Sequence, residues 1–314
     1  MWIPAITIGL SLYLGFAISR NRLCFLLAAS EALTQKKLSQ YAAFVLVISA
    51  AAIVALPLAW VQAPWAALPR VAALTVPILL GAVIAGSGAF VNGACPIGTL
   101  MRIGIGELQF LFTLAGLAVG FVMLDSTQFL PTVATLPGRS NASWVVWIGT
   151  LAAFGCLYWV ADWYLARRQD AQSRLLRIMM PILGVAGALL FCLSPHPTYG
   201  DAIRQLVAQA PTALMTRIGT ALVGAAAIIG ALLGAFTSSN FRLKWPSAVG
   251  FVRCLLGGIV MAVGGKLMGS GGEQLMLSGV PSGASTSILC LVVMSLTIFG
   301  WVALSRLIAS RKAV

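Results

Sequence analysis

Five stretches of the chain, residues 71–91, 108–124, 144–161, 218–236 and 284–305, are nearly unbroken runs of apolar side chains. Each approaches or exceeds the roughly 18–20 residues that a helix needs to cross a hydrocarbon core about 30 Å thick. With the weaker apolar runs between them, the pattern predicts helical spans near 2–19, 41–60, 71–91, 107–125, 144–166, 178–194, 218–237, 248–268 and 284–306. The expected class is all-α, a polytopic integral membrane protein of about nine spans.

Two polar interruptions stand out, "VNGACPIGTLMRIGIGE" within 91–107 and the glycine-rich stretch 269–283 that begins "GSGGEQ". Both are too short for soluble domains and too rich in glycine for spanning helix. Unpaired backbone groups in hydrocarbon cost several kcal/mol each, so such segments survive only when buried in protein or lining a polar path. Both stretches, 92–106 and 269–283, therefore read as re-entrant loops approaching each other from opposite faces. Gly81, Gly88 and Gly93 recur at a constant offset of 176 residues as Gly257, Gly264 and Gly269, each time in an apolar helix that runs into a glycine loop. Five crossings separate the two copies, which makes them inverted pseudo-repeats of the kind that builds transporters. The chain divides into a first half, 1–166, a basic loop, 167–177, and a second half, 178–314.

Composition strengthens this picture. Hydrophobic residues make up 60% of the chain and charged residues 9%, against roughly 25% charged in a soluble domain. A net charge of +13 points to nucleic acid in a soluble protein, but here the basic residues fall between spans, where they set topology. Arg167, Arg168, Arg174 and Arg177, with Arg306, Arg311 and Lys312 at the end, mark the cytoplasmic side; Arg70, Arg139, Arg204, Arg217 and Lys266 fall on the other. The opening "MWIPAITIGLSLYLGF" has no leading positive charge and no small-residue cleavage site, so it reads as a retained first span. The expected orientation is N-terminus outside and C-terminus cytoplasmic.

The chemistry on offer is narrow. Cys24, Cys95, Cys156, Cys192, Cys254 and Cys290 lie in or beside apolar segments without metal-ligand spacing, so no disulfide framework, metal or other cofactor is expected. His196, between Pro195 and Pro197, reads as a loop residue. "GSGGEQ" lacks the Gly-Lys-Ser/Thr ending of a phosphate-binding loop, and nothing else suggests a pump or an enzyme. Cys156, Cys192, Cys254 and Cys290 read as small buried hydrophobes. Cys24 and Cys95 differ because each adjoins a break in its helix, the first beside Arg20, Asn21 and Arg22.

A permeation path would run along those breaks. Its candidate lining is Arg22, Cys24, Asn92, Gly93, Cys95, Pro96, Gly98 and Thr99 from the first half, with Gly269, Gly271, Gly272 and Glu273 from the second. Glycine in such loops lets backbone approach a ligand and adopt positive φ. By contrast Gly81, Gly86, Gly88, Gly257, Gly258, Gly264 and Gly265 recur at helical spacing and read as helix-packing positions. Glu107 is expected at the cytoplasmic edge in an ion pair with Arg102. Glu273, with no basic neighbour but Lys266, is the sharper functional candidate, because a carboxylate near the membrane core is costly.

At these stretches the chain resembles the YeeE/YedE family of bacterial inner-membrane proteins, associated with thiosulfate import and, in some members, selenium metabolism. "SRNRLCF" resembles the family's first cysteine motif and "NGACPIGTLMRIGIGEL" its second, while "SSNFRLKWPSAVGFVRCLLGGIVMAVGGKLMGSGG" resembles the matching part of its second half. The resemblance implies an hourglass-shaped helical protein in the bacterial inner membrane, with Cys24 and Cys95 in a narrow cysteine-lined path. It also implies a TusA-type cytoplasmic sulfur-carrier protein as partner. Where many members carry a third path cysteine, this chain has Gly271 or Gly272. The expected substrate is thiosulfate or a related sulfur or selenium species, relayed by contacts with protonated thiols and without covalent catalysis. Two rivals remain: a channel for a small uncharged solute, and a redox protein in which Cys24 and Cys95 form a reversible disulfide.

Overall fold

The structure is a computed structural model that describes residues 3–61, 74–125, 144–168, 170–194, 197–207 and 214–311. Arg70, Arg139, His196 and Lys312 lie outside the described residues. The described chain is helical almost throughout: α1 (Ile3–Arg20), α2 (Phe25–Gln35), α3 (Ser39–Val61), α4 (Val76–Asn92), α5 (Pro96–Gly104), α6 (Leu111–Asp125), α7 (Trp144–Arg167), α8 (Ala171–Leu193), α9 (Tyr199–Val207), α10 (Leu214–Thr237), α11 (Ala248–Met268), α12 (Gly272–Gln274) and α13 (Ser285–Arg311). A single 3-10 turn, Leu108–Phe110, leads into α6, and a π-helical turn, Leu275–Gly279, extends α12. Eight helical segments among the described residues are long and apolar enough to cross a membrane, and a shorter apolar one covers Leu108–Leu124. That shorter segment spans about 25 Å at 1.5 Å per residue. Large apolar side chains such as Val122, Trp159, Ile182, Phe236 and Leu296 point outward, as a lipid-facing belt requires.

The expected spans are all present, and the structure adds four short helices that the apolar pattern does not reveal: α2, α5, α9 and α12. It also corrects the basic loop. Residues 171–177 are the first two turns of α8, so Arg174 and Arg177 are helical, and Arg177 forms a bidentate ion pair with Asp162 of α7 at 2.7 and 2.8 Å. Asp170 caps α8 by accepting hydrogen bonds from the Ser173 N–H and hydroxyl.

The internal repeat is wider than the glycines suggest. Packing of α1 on α10 is mirrored by α3 on α8, that of α4 on α13 by α11 on α6, and that of α2 on α13 by α9 on α6. The six helices α1–α6 thus correspond in order to α8–α13, with α7 outside the repeat. α4 and α11 cross each other at the pseudo-twofold axis, where the small residues have a steric reason. A Cβ on Gly81 would lie 2.9 Å from the Gly264 carbonyl oxygen, and one on Gly257 would lie 2.6 Å from the Asn92 backbone. Gly86 packs in the same way on Met294 and Thr297 of α13, and Gly258 on α6. Gly265 has no such neighbour and lines a cavity instead.

Candidate functional site

Both halves break their central helix by the same device. α4 ends at Gly93 and α11 at Gly269, each in the left-handed conformation, with φ of 83° and 70°. Such a cap reverses the chain without the penalty a Cβ would meet. Two residues later an extended residue caps the next short helix: Cys95 (φ −71°, ψ 171°) before α5 and Gly271 (φ −79°, ψ 161°) before α12. The offset of 176 between them is that of the sequence repeat, so Gly271, not Gly272, stands where the first half has its thiol. The second break follows the same rule. Cys24 caps α2, and Thr198 caps α9 in a reciprocal box, its hydroxyl accepting from the Asp201 N–H while the Asp201 carboxylate accepts from Thr198. That geometry satisfies the free N–H groups of a helix start.

The two first-half caps meet. Cys24 Sγ and Cys95 Sγ lie 3.7 Å apart, within sulfur hydrogen-bonding distance, and each residue is 1% exposed. The Gly98 N–H donates to Cys95 Sγ at 3.4 Å. Backbone N–H groups of Leu26, Leu27 and Cys95 also face the Cys24 sulfur. The thiols therefore sit where the N-termini of α2 and α5 converge, a place whose partial positive charge favours an electron-rich guest. Gly98 makes the approach possible, because a Cβ there would collide with Cys24.

Two vestibules approach the pair through its chain neighbours, although neither sulfur is in their walls. One, of about 640 Å³, is lined by Leu26, Leu27, Ser30, Gly93 and the guanidinium groups of Arg102, Arg253 and Arg306. The other, of about 90 Å³, is lined by Pro96, Gly200, Asp201, Arg204, Lys266 and Gly269–Glu273, among others. Leu26, Leu27 and Ser30 correspond to Gly200, Asp201 and Arg204 at one offset of 174, so the vestibules are pseudo-symmetric partners of different chemistry. Cys95 lies between Gly93, in the wall of the arginine vestibule, and Pro96, in the wall of the other, an acidic vestibule by virtue of Asp201 and Glu273, whose charge Arg204 and Lys266 offset. A third, central cavity of about 30 Å³ among α1, α5, α8 and α10 shares Thr198, Tyr199 and Glu273 with the acidic vestibule. Tyr199 is buried there and its hydroxyl donates to the Pro96 carbonyl at 2.7 Å.

Other expected path residues have structural roles. Asn92 is buried, donating to the Ala94 carbonyl and to the Thr99 hydroxyl and accepting from the Thr113 hydroxyl, so Asn92 and Thr99 knot the break to α6. Arg22 is exposed on a left-handed turn after α1 and lines none of the three cavities. Glu107 does pair with Arg102, at 3.0 Å, and also with Lys244 at 2.8 Å, a partner the sequence does not suggest. Lys266 donates to the Leu124 carbonyl, anchoring α11 to the end of α6. The sequence reads Arg306 only as a mark of the cytoplasmic side, and Arg253 escapes sequence reading, although a charge inside the apolar run 248–268 is the signal that could have found it. Arg253 donates to the Val91 carbonyl and covers Gly93; Arg306 bonds Ser30 and Thr34 of α2. Of the remaining cysteines, Cys192, Cys254 and Cys290 are buried, whereas Cys156 is exposed on α7, contrary to its expected place in the core. Among the described residues no cluster of His, Cys, Asp or Glu could hold a metal ion.

A comparison with curated protein sequences finds no match. A family model described as sulphur transport, however, matches residues 20–300, which include both broken helices, the thiol pair and the lining of both vestibules except Val302, Ser305 and Arg306. The chain therefore belongs to the YeeE/YedE sulphur transport family of multi-pass membrane proteins.

Proposed function

We propose that the protein carries thiosulfate, or a related small anion with a soft terminal sulfur, between the two vestibules past Cys24 and Cys95. The observation that carries this reading is the thiol pair itself: two buried sulfurs 3.7 Å apart, capping converging helices, with two vestibules that approach through their chain neighbours. A thiol is a weak donor suited to a soft anion. Weak sites in series let an ion enter and leave again, which conduction needs. Relay then proceeds by S–H contacts, with no covalent intermediate and no catalytic step.

The arginine vestibule faces the cytoplasm, because Lys36, Lys37, Arg102, Arg167, Arg168, Arg174, Lys244 and Arg306 gather at its end while Arg204, Arg217 and Lys266 belong to the other. The N-terminus is then outside, the C-terminus inside, and the membrane is the bacterial inner membrane. A TusA-type carrier would receive the sulfur species at the arginine vestibule, where an acidic surface finds complementary charge.

Uptake of radiolabelled thiosulfate into cells lacking other importers tests the reading. Cys24→Ala and Cys95→Ala should each abolish uptake at unchanged protein level. Unimpaired uptake after both substitutions would remove the thiols from the path and favour a channel for uncharged solutes. A mobility shift on reduction, with uptake that follows the oxidised form, would favour the redox reading.

A further inference from the structure

The pseudo-symmetry places different chemistry opposite the thiols. Cys24 corresponds to Thr198 and Cys95 to Gly271, so the second half has no sulfur at either cap. Instead Glu273 occupies the position that Ile97 holds in the first half, at the same offset of 176. Its side chain stands in the wall between the acidic vestibule and the central cavity, lining both. One of its carboxyl oxygens, Oε1, is buried without a hydrogen-bond partner. Leaving a buried polar atom unpaired is costly, and a carboxylate at membrane depth more so, which points to a guest or a proton at this place.

The charged and titratable groups facing Glu273 are few. From α9 come Tyr199, Asp201 and Arg204, and from α11 Lys266; Cys95, before α5, faces Tyr199. Asp201 is held by its own cap at Thr198, Lys266 donates to Leu124, and the Tyr199 hydroxyl is committed to Pro96. The parts of α1, α5, α6, α8, α10, α12 and α13 that line the two cavities contribute apolar or uncharged groups, such as Ser11, Leu100, Leu117, Phe191, Ala227, Gln274 and Met294.

We infer that Glu273 is a proton-operated gate: its ionised carboxylate repels the dianion at the wall between the two cavities, and its protonated form donates the hydrogen bond that a thiol supplies on the other side. This rests on the anion-transport reading above and adds regulation to it. Ionised, the group presents only acceptors; protonated, it offers one O–H donor. The gate closes by like-charge repulsion in a low-dielectric wall, where such repulsion is strong. Transport should then rise as the medium on the acidic-vestibule side is acidified, although thiosulfate itself stays a dianion.

The test uses the full chain in proteoliposomes with equal pH on both faces, so that gating is read apart from any proton gradient. Thiosulfate uptake by the unaltered protein should fall steeply on the alkaline side, approaching tenfold per pH unit for a single essential acid. Glu273→Gln, which keeps the donor and cannot ionise, should transport with a flat profile, and Glu273→Asp should restore pH dependence. Uptake by Glu273→Gln that tracks the unaltered profile, or a flat profile in the unaltered protein, would overturn the gate while leaving the path reading intact. Failure of the path reading is recognised separately, by pH-independent insensitivity of uptake to Cys24→Ala. Glu273→Ile, which copies the first half, controls for folding: a monodisperse variant without uptake supports the need for a donor, and one with full uptake refutes it.

Discussion

Replacing Gly98 by Ala tests whether the spacing of the two thiols governs transport. Gly98 is the third residue of α5, and a methyl there would lie 3.1 Å from Cys24 Cβ and 3.3 Å from Ala94 Cβ, with the Cys24 sulfur closer still. Carbon atoms pack at about 3.5–4.0 Å, so the sulfur has to retreat by about 1 Å. Overfilling a tight core costs ~1–3 kcal/mol, and the gain in helix propensity from Gly to Ala returns up to about 1 kcal/mol. A net destabilisation of about 1–2 kcal/mol follows. Retreat from 3.7 Å also breaks the Cys24–Cys95 contact. A contact between two weak S–H groups is worth about 0.5 kcal/mol, the low end of the usual range, so transport that depends on it should slow roughly twofold. Thermal unfolding in detergent measures the first effect and initial rates of thiosulfate uptake, normalised to protein, the second. Adding Cys24→Ala removes the clash with the sulfur but keeps the close Cβ contacts, so the double variant should regain part of the stability and, lacking the Cys24 thiol, lose transport. Full uptake by Gly98→Ala at normal abundance would refute the claim that thiol spacing matters.

Three further predictions follow from particular contacts. Gly271→Cys should be tolerated, because a Cβ there meets nothing within 4 Å and the backbone, at φ −79°, suits any residue; it places a thiol at the counterpart of Cys95 and should lower the KM for thiosulfate, and a raised KM would contradict the correspondence. Glu107→Gln weakens the pairs with Arg102 and Lys244 and should lower stability by ~1–3 kcal/mol, less than a fully buried pair would lose because both partners reach solvent; unchanged thermal unfolding would contradict that. Asp170→Ala removes the α8 cap and should cost about 1 kcal/mol. Slight burial opposes ionisation of Asp170, but the Ser173 hydroxyl and N–H outweigh it and hold the carboxyl below its usual range. Its folded-state value is depressed, so the stability it contributes is complete above the ordinary carboxylate pKa and is lost as pH falls through the lower, folded one. Unfolding curves of Asp170→Ala and the unaltered protein should converge at low pH.

The long helices were legible because crossing a bilayer demands long apolar runs, and the chain supplies them. The short helices were not, for physical reasons. α5 and α9 are each only nine residues long, with Pro96 and Gly98 in the first turn of one and Pro197 just before the other, so although both are strongly amphipathic, neither is long enough for its periodicity to separate helix from loop. Their order comes from tertiary contacts, Tyr199 on Pro96 for one and the Cys24–Cys95 approach for the other. The cysteines of the site were legible because each stands beside a polar break. Arg253 and Arg306 were not, since along the sequence each reads as one more basic residue at a span end, and only the packing of α11 and α13 beside α4 and α2 brings them into one vestibule. Lys244 became a partner of Glu107 through the bridge between the segment after α5 and the segment before α11, a pairing 137 residues apart that no local pattern encodes.

The glycine repeat carried more information than its three residues promised, because it fixes a correspondence and not merely a likeness. Once Gly93 and Gly269 are matched, each later position has a partner, and the differences between partners become chemical statements. Cys95 against Gly271 and Cys24 against Thr198 say that sulfur chemistry is confined to one half. Ile97 against Glu273, and Leu27 against Asp201, say that the other half has acidity where the first has hydrocarbon. On the proposed path, a substrate would meet a thiol pair from one side and carboxyl groups from the other. Two identical halves could bind an anion equally well from both faces. Unequal halves, with Arg102, Arg253 and Arg306 at one end and Glu273 at the other, would bind an anion differently from the two faces, while the gradient across the membrane sets the direction of net flux.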